Sequence, residues 1–265
     1  MVQNNGDKPM PQPAAEAPVF LDVGSGPDAR RIAVLVRPGD GPPLVWCGGF
    51  RSDMRATKAE ALDGWARETG RALVRFDYTG HGESSGDFAG ATISTWLEDA
   101  RAVIAAFAPQ RPLLVGSSMG GWIACLAARN GVAPSGLVLI APALDFTEDL
   151  MWARFTPEIR ATIERDGFWA RPSEYSDVPV PITGALIADG RRHRMLGDAI
   201  DPGCAVHILQ GMADPDVPWS HALRLVERLP PAGTVLTLIA DGDHRLSRPQ
   251  DLTRLLAAVA GISAG

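Results

Sequence analysis

The sequence predicts an α/β protein: a mostly parallel, eight-stranded sheet with helices on both faces and a helical lid at the ends of its strands. Three observations predict it. Short β-branched runs alternate with amphipathic stretches from residue 19 to the end, as in βα units. The alternation breaks once, for about sixty residues after position 140, and resumes near position 205. The 265 residues are 46% hydrophobic and 21% charged, which is enough apolar surface for one large core.

Residues 1–18 hold five prolines or glycines among Asn and Gln and read as a tail before the main domain, 19–265. Strands are expected at 19–22, 31–36, 44–47, 72–76, 112–116, 137–140, 205–209 and 235–239. Helices are expected at about 55–69, 91–107, 119–129, 220–229 and 248–260, the third closed by Asn130-Gly131. Ser247 and Gln250 have the spacing of a capping box opening the last helix. The interruption, 142–203, carries two helical patterns, one opened by Thr156-Pro157 and closed by Gly167. It concentrates Trp152, Phe155, Phe168, Trp169 and Tyr175, so it reads as a lid over a site rather than a loop.

Composition excludes several function classes. A net charge of −6 and a pI near 5.4 argue against nucleic acid as a partner, which needs a basic face. No run approaches the roughly 18 apolar residues of a membrane span. Cys47, Cys125 and Cys204 are an odd count at wide spacing, and Cys204 with His207 lacks a second ligand pair, so reduced thiols in a cytoplasmic protein are expected and no metal. Gly80, Gly82 and Gly86 are one residue too widely spaced for a dinucleotide fingerprint, and neither Lys8 nor Lys58 follows a glycine as a phosphate loop requires. No cofactor is therefore expected. His81, between those glycines, reads as part of a structural loop beside the site.

The chemistry concentrates at Gly116-Ser117-Ser118-Met119-Gly120, set between an apolar strand and a helix. A nucleophile on so tight a turn needs small residues two positions to either side, and Ser118 occupies the centre. Serine needs a general base and an acid to orient that base, and in hydrolases with this turn both follow the serine, acid first. Among the downstream histidines, His193 falls in the lid, His207 in a strand and His221 in the first turn of a helix, whereas His244 sits in a loop after the last strand. His244 is the expected base. The turn Gly211-Met212-Ala213-Asp214-Pro215-Asp216 follows a strand directly and supplies Asp214 as the acid, with Asp216 as the alternative. Asp241 and Asp243 are expected to shape the histidine turn. The oxyanion donors expected are the backbone N–H groups of Met119 and Phe50, the latter after Gly48-Gly49. The Phe50 side chain either faces the acyl pocket or packs beneath the lid. Arg51, Asp53, Trp152, Phe155 and Trp169 are candidate substrate contacts, and the basic run Arg191 to Arg194 reads as a solvated face.

With these residues in place the chain resembles the α/β-hydrolase superfamily over residues 19–262. Within it, Gly48-Gly49-Phe50, Arg75-Phe76-Asp77-Tyr78, Val115 to Trp122, Gly211 to Asp214 with Val217-Pro218-Trp219, Asp243-His244-Arg245 and Gly167 to Tyr175 are similar to the abhydrolase-domain mitochondrial palmitoyl-protein thioesterases, also described as acyl-glucuronide esterases. The resemblance implies an α/β-hydrolase fold, a Ser118–Asp214–His244 triad, and S-acylated cysteines or acyl esters as substrates. Residues 1–18 contain no arginine and do not read as a mitochondrial presequence; with the heavy use of arginine over lysine this points to a bacterial protein. Two alternatives stay open: a carbon–carbon bond hydrolase with the same triad, and a ligand-binding protein on a hydrolase scaffold.

Overall fold

The structure, a computed structural model, describes residues 16–172 and 179–263. Six strands come first: β1 (Val19–Val23), β2 (Arg30–Arg37), β3 (Asp40–Cys47), β4 (Arg71–Phe76), β5 (Leu113–Ser117) and β6 (Gly136–Ile140). A separate antiparallel pair, β7 (Phe168–Arg171) and β8 (Val180–Thr183), precedes β9 (Ala205–Gly211) and β10 (Thr234–Ile239). The eight-stranded sheet has the order β1-β2-β4-β3-β5-β6-β9-β10, antiparallel at β1/β2 and β2/β4 and parallel elsewhere. Each of the eight expected main strands is present. Only β3 starts well before its expected position, and its register slips between Asp40 and Leu44, where Pro42 and Pro43 have no N–H to give the ladder.

The two-residue period of a strand sends alternate side chains to opposite faces, and both faces are buried. Leu44, Trp46, Leu73, Leu113, Val115, Val138 and Ile140 pack with α1 (Thr57–Thr69) and α7 (Pro249–Ser263). Val45, Val74, Phe76, Leu114, Leu137 and Leu139 pack with α2 (Ile93–Phe107) and α3 (Met119–Arg129) on the other face. Leu186 and Ile187 of α5 (Gly184–Arg192), and Ala222 and Leu225 of α6 (Trp219–Val226), join that second core. A near-continuous apolar run such as Leu113-Leu114-Val115 is thus two half-cores written in alternation.

Between β6 and β9 the chain makes a π-helical turn (Thr147–Met151), a 3-10 turn (Trp152–Arg154), α4 (Pro157–Asp166), the β7/β8 pair and α5. Thr156 caps α4 by accepting from Ile159 N at 3.3 Å, and Gly167 ends it at φ 83°. Beside its two helices the segment holds a strand pair that was not expected: Phe168–Arg171 pairs with Val180–Thr183, and runs this short do not betray their period in sequence. Tyr175 lies outside the described residues. Buried carboxylates pin the segment at its rear. Asp145 accepts from the amides of Met195 and Leu196 at 2.8 and 2.9 Å, and Asp189 from Ser94 N at 2.7 Å.

Two local expectations change. The Ser247/Gln250 capping box does not form; Ser247 Oγ donates to the Arg245 carbonyl, and the amide of Arg248 is taken by the Asp251 carboxylate at 3.3 Å. The last residues of the expected tail touch the body, with Glu16 set 3.6 Å from Arg75 and its carbonyl accepting from Arg55 at 2.7 Å.

Candidate active site

Ser118 stands between β5 and α3 with φ 53° and ψ −117°, a conformation a residue with a Cβ adopts only when its surroundings hold it there. Those surroundings explain both flanking glycines. A Cβ on Gly116 would come within 2.5 Å of the Gly120 carbonyl oxygen, and one on Gly120 within 2.0 Å of the Cys47 carbonyl oxygen. Backbone therefore meets backbone on both sides of the serine, and the turn is clamped between β3, β5 and the start of α3. The Ser118 amide donates to the Ile140 carbonyl at 2.9 Å, tying the turn to β6 as well.

From the far end of the sheet, the loops after β9 and β10 bring the other two residues. His244 Nε2 lies 3.1 Å from Ser118 Oγ, and its Nδ1 lies 2.8 Å from Asp214 Oδ2. The Asp214 side chain is fully buried and that of His244 is 23% exposed, so the carboxylate is shielded while the imidazole reaches the surface. Asp214 Oδ1 accepts from the amides of Asp216 and Val217 at 2.8 Å each, and Oδ2 also accepts from Gln210 Nε2 at 3.2 Å. Four donors around a buried carboxylate fix its orientation, leaving Nδ1 as the proton-bearing nitrogen and Nε2 as the acceptor toward serine. Asp216, the alternative acid, is exposed and contributes its backbone. Asp214, Asp216 and His244 could also be read as ligands gathered for a cation. Both Asp214 oxygens already serve two donors each, which suits an orienting acid better than a metal ligand.

The loop after β3 lies against the serine: a Cβ on Gly49 would stand 3.6 Å from Ser118 Cβ. Phe50 follows at once, and the Met119 amide, at the first position of α3, has no carbonyl to serve within its helix. The Phe50 ring packs rather than facing open space, edge-on to Phe88, Trp96 and Phe146 at centroid distances of 5.1, 5.8 and 5.8 Å. Asp77 accepts from Met54 N at 2.7 Å and Glu83 N at 2.8 Å, joining this loop to the glycine-rich one. His81, buried, accepts the Arg51 amide at Nε2 and faces the Thr79 carbonyl at Nδ1. Burial holds its pKa below the ordinary histidine value, so it is a neutral acceptor.

The remaining candidates make contacts of their own. Trp152, Phe155 and Trp169 form an edge-on ladder in the lid segment with centroids 6.4 and 5.3 Å apart. Arg51 lies over Phe88 beside a groove of about 310 Å³ lined also by Asp53, His81 and Pro181. Asp53 caps its own turn by accepting from Arg55 N. Asp243 accepts from Leu246 N, shaping the histidine turn, while Asp241 pairs with Arg248. His193 meets Ser94, His207 meets Thr237, and His221 donates to the Leu144 carbonyl. Run 191–194 is more engaged than a plain solvated face: Arg191 pairs with Glu148 and Arg194 with Asp149. The roles of Gln210, Asp77 and Lys58 were not read from the sequence. Gln210 alone leaves a signal there, a polar residue at the buried end of a strand just before the acid.

A serine strained at a strand-to-helix turn, backed by a histidine and a carboxylate from later loops of a mostly parallel sheet, defines the α/β-hydrolase class. Residues 19–259 match the Alpha/beta hydrolase family, and the chain belongs to it. It is 30% identical to the human protein named palmitoyl-protein thioesterase ABHD10, mitochondrial, over 93% of this chain and 81% of that one. The mouse alpha/beta hydrolase domain-containing protein 10 structure superposes with a TM-score of 0.83 at 29% identity, covering 93% of this chain and 98% of that one. A putative hydrolase from Agrobacterium vitis S4 superposes with a TM-score of 0.90 at 50% identity, over 93% and 98% of the two chains.

Proposed function

We propose that the chain hydrolyses acyl thioesters and carboxylic esters, of small molecules or of acylated proteins, through an acyl-enzyme at Ser118. The observation that carries this reading is the unbroken relay from Asp214 through His244 to Ser118 Oγ, with contacts of 2.8 and 3.1 Å. His244 Nε2 takes the Ser118 proton as Oγ attacks the acyl carbonyl. The Phe50 and Met119 amides donate to the oxyanion. His244 then returns the proton to the departing thiol or alcohol. Water then bonds to the acyl carbon as its proton passes to His244, and His244 returns that proton to Ser118 Oγ as the acid leaves. Every proton has a named carrier, so the reading asks for no cofactor.

The thioester half of the proposal draws on the name of the human and other mammalian relatives. In this reading residues 142–203 are a lid, and its Trp152, Phe155 and Trp169, with Arg51 at the loop, contact substrate; an aromatic ladder suits an apolar acyl chain. Among the described residues no helix is long and apolar enough to cross a membrane. A cytoplasmic place in a bacterium fits three free cysteines and the similarity to the Agrobacterium vitis protein.

The test is hydrolysis of a chain-length series of matched p-nitrophenyl esters and acyl thioesters by wild type and Ser118→Ala, with a fluorophosphonate probe for the reactive serine. Turnover and labelling that vanish together in a folded Ser118→Ala support the proposal. Undiminished turnover in that variant overturns it. Labelling without turnover on any of these substrates moves the site to carbon–carbon bond cleavage or ligand binding.

A further inference from the structure

The parallel strands carry the candidate active site at their C-terminal ends. At their opposite ends lies a second concave site, of about 280 Å³, lined by Pro42, Arg71, Arg111, Ser135, Ile262 and Ser263. Arg71 opens β4, Arg111 stands two residues before β5, and Ser135 one residue before β6. The site is therefore separated from Ser118 by the whole length of β5, roughly 15 Å. Its floor is made by α7 closing on β6, where a Cβ on Gly136 would come within 2.2 Å of Ile262.

The charge of this site is unbalanced. The chain as a whole is acidic at −6, yet among the described residues this lining contains two guanidinium groups and no carboxylate. Among the described residues neither Arg71 nor Arg111 lies within ion-pair distance of an acid, whereas Arg30, Arg37, Arg75 and Arg248 each have one. Arg71 is held in place by donating from Nη2 to the Pro42 carbonyl at 3.0 Å. Its Nε is buried with no hydrogen-bond partner among the described residues.

We propose that this cavity binds a phosphate group, free or as part of a small phosphorylated molecule, between Arg71 and Arg111. Guanidinium forks match phosphate oxygens, and the terminal nitrogens of Arg71 and Arg111 would be the donors. The Ser135 hydroxyl, on the same lining, can donate to a remaining oxygen. Two arginines, one opening β4 and one just before β5, favour a multiply charged tetrahedral anion over a single carboxylate.

The proposal is tested by isothermal titration of the intact protein with inorganic phosphate, pyrophosphate and glycerol phosphate at matched ionic strength, with acetate for comparison. Expected is saturable phosphate binding that falls about tenfold or more in Arg71→Gln and in Arg111→Gln, with thermal unfolding confirming that both fold. Stronger binding of glycerol phosphate than of inorganic phosphate would identify a phosphorylated small molecule as the source; equal binding would identify the free ion. Absence of saturable binding in wild type, acetate binding as tightly as phosphate, or affinity unchanged in the folded double variant overturns the assignment.

Discussion

His81 Nε2 accepts the amide hydrogen of Arg51 at 3.0 Å, so a buried imidazole thirty positions downstream holds the loop that presents the Phe50 amide. With Nε2 accepting, Nδ1 carries the proton toward the Thr79 carbonyl at 3.1 Å. The ring is packed edge-on to Tyr78, Phe88 and Trp96, which leaves it no other pose. In the proposed reaction this makes His81 a positioning residue for the loop that carries Phe50.

His81→Ala should lower kcat by about 10- to 100-fold with a smaller change in KM, because an oxyanion donor acts chiefly in the transition state. His81→Gln, which can still present an acceptor, should recover part of the loss. Steady-state kinetics on one ester and one thioester check this; a loss confined to KM would contradict it. Because burial lowers the His81 pKa, the unfolded chain takes up the proton first as pH falls. Stability from this group is present above the ordinary histidine value near 6.5 and is lost below it.

Asp214→Asn should keep the fold and lower kcat by about 10³- to 10⁴-fold. An amide in place of the carboxylate no longer holds the imidazole with its proton on Nδ1 and no longer stabilises the imidazolium. Asp216→Asn, altering an exposed side chain, should leave kcat within about twofold. Equal losses in the two variants would move the acid.

Gly120→Ala places a methyl carbon 2.0 Å from the Cys47 carbonyl oxygen and 2.4 Å from that of Gly48. Backbone must move, and it is the backbone leading to Phe50. The expected outcome is destabilisation by about 1–3 kcal/mol together with a large fall in kcat, read by urea unfolding and by hydrolysis rate. Normal activity in this variant would show that the loop does not support the reaction.

Lys58 ties α1 to the histidine loop, donating from Nζ to the Arg245 carbonyl at 2.5 Å and to Ser247 Oγ at 3.3 Å. Burial pulls its ammonium down to about 8, against the pull of Asp243 in the other direction. The unfolded chain keeps that proton to about pH 10.4, so between these values it binds more protons than the folded chain and stability rises with pH. Wild type should gain about 1–3 kcal/mol relative to Lys58→Met from pH 7 to 10, after allowance for partial exposure. Urea unfolding across that range measures it, and a constant difference between the two proteins would refute it.

The eight main strands, the five helices around them and the Ser118 turn were legible because each is written locally. Apolar alternation marks the strands, Gly116 and Gly120 mark the turn, and a glycine at Gly70 or Gly167 stops a helix. The β7/β8 pair was not legible, since four residues carry too little period and their partner lies across an intervening segment. Nor was the role of Asp77, Gln210 or Lys58, whose partners are amides and carbonyls that sequence does not distinguish.

The sequence by itself determined the fold class, the glycine-flanked Ser118 turn and the later loops that hold Asp214 and His244, because strand period, glycine spacing and turn residues act between near neighbours. Tertiary structure alone decided that Gln210 and two backbone amides hold Asp214 against His244, that Phe50 packs among aromatic rings, and that Arg71 and Arg111 share one cavity. Each of these depends on which way a side chain points once distant strands lie side by side, and that direction is set by the packing of the whole sheet.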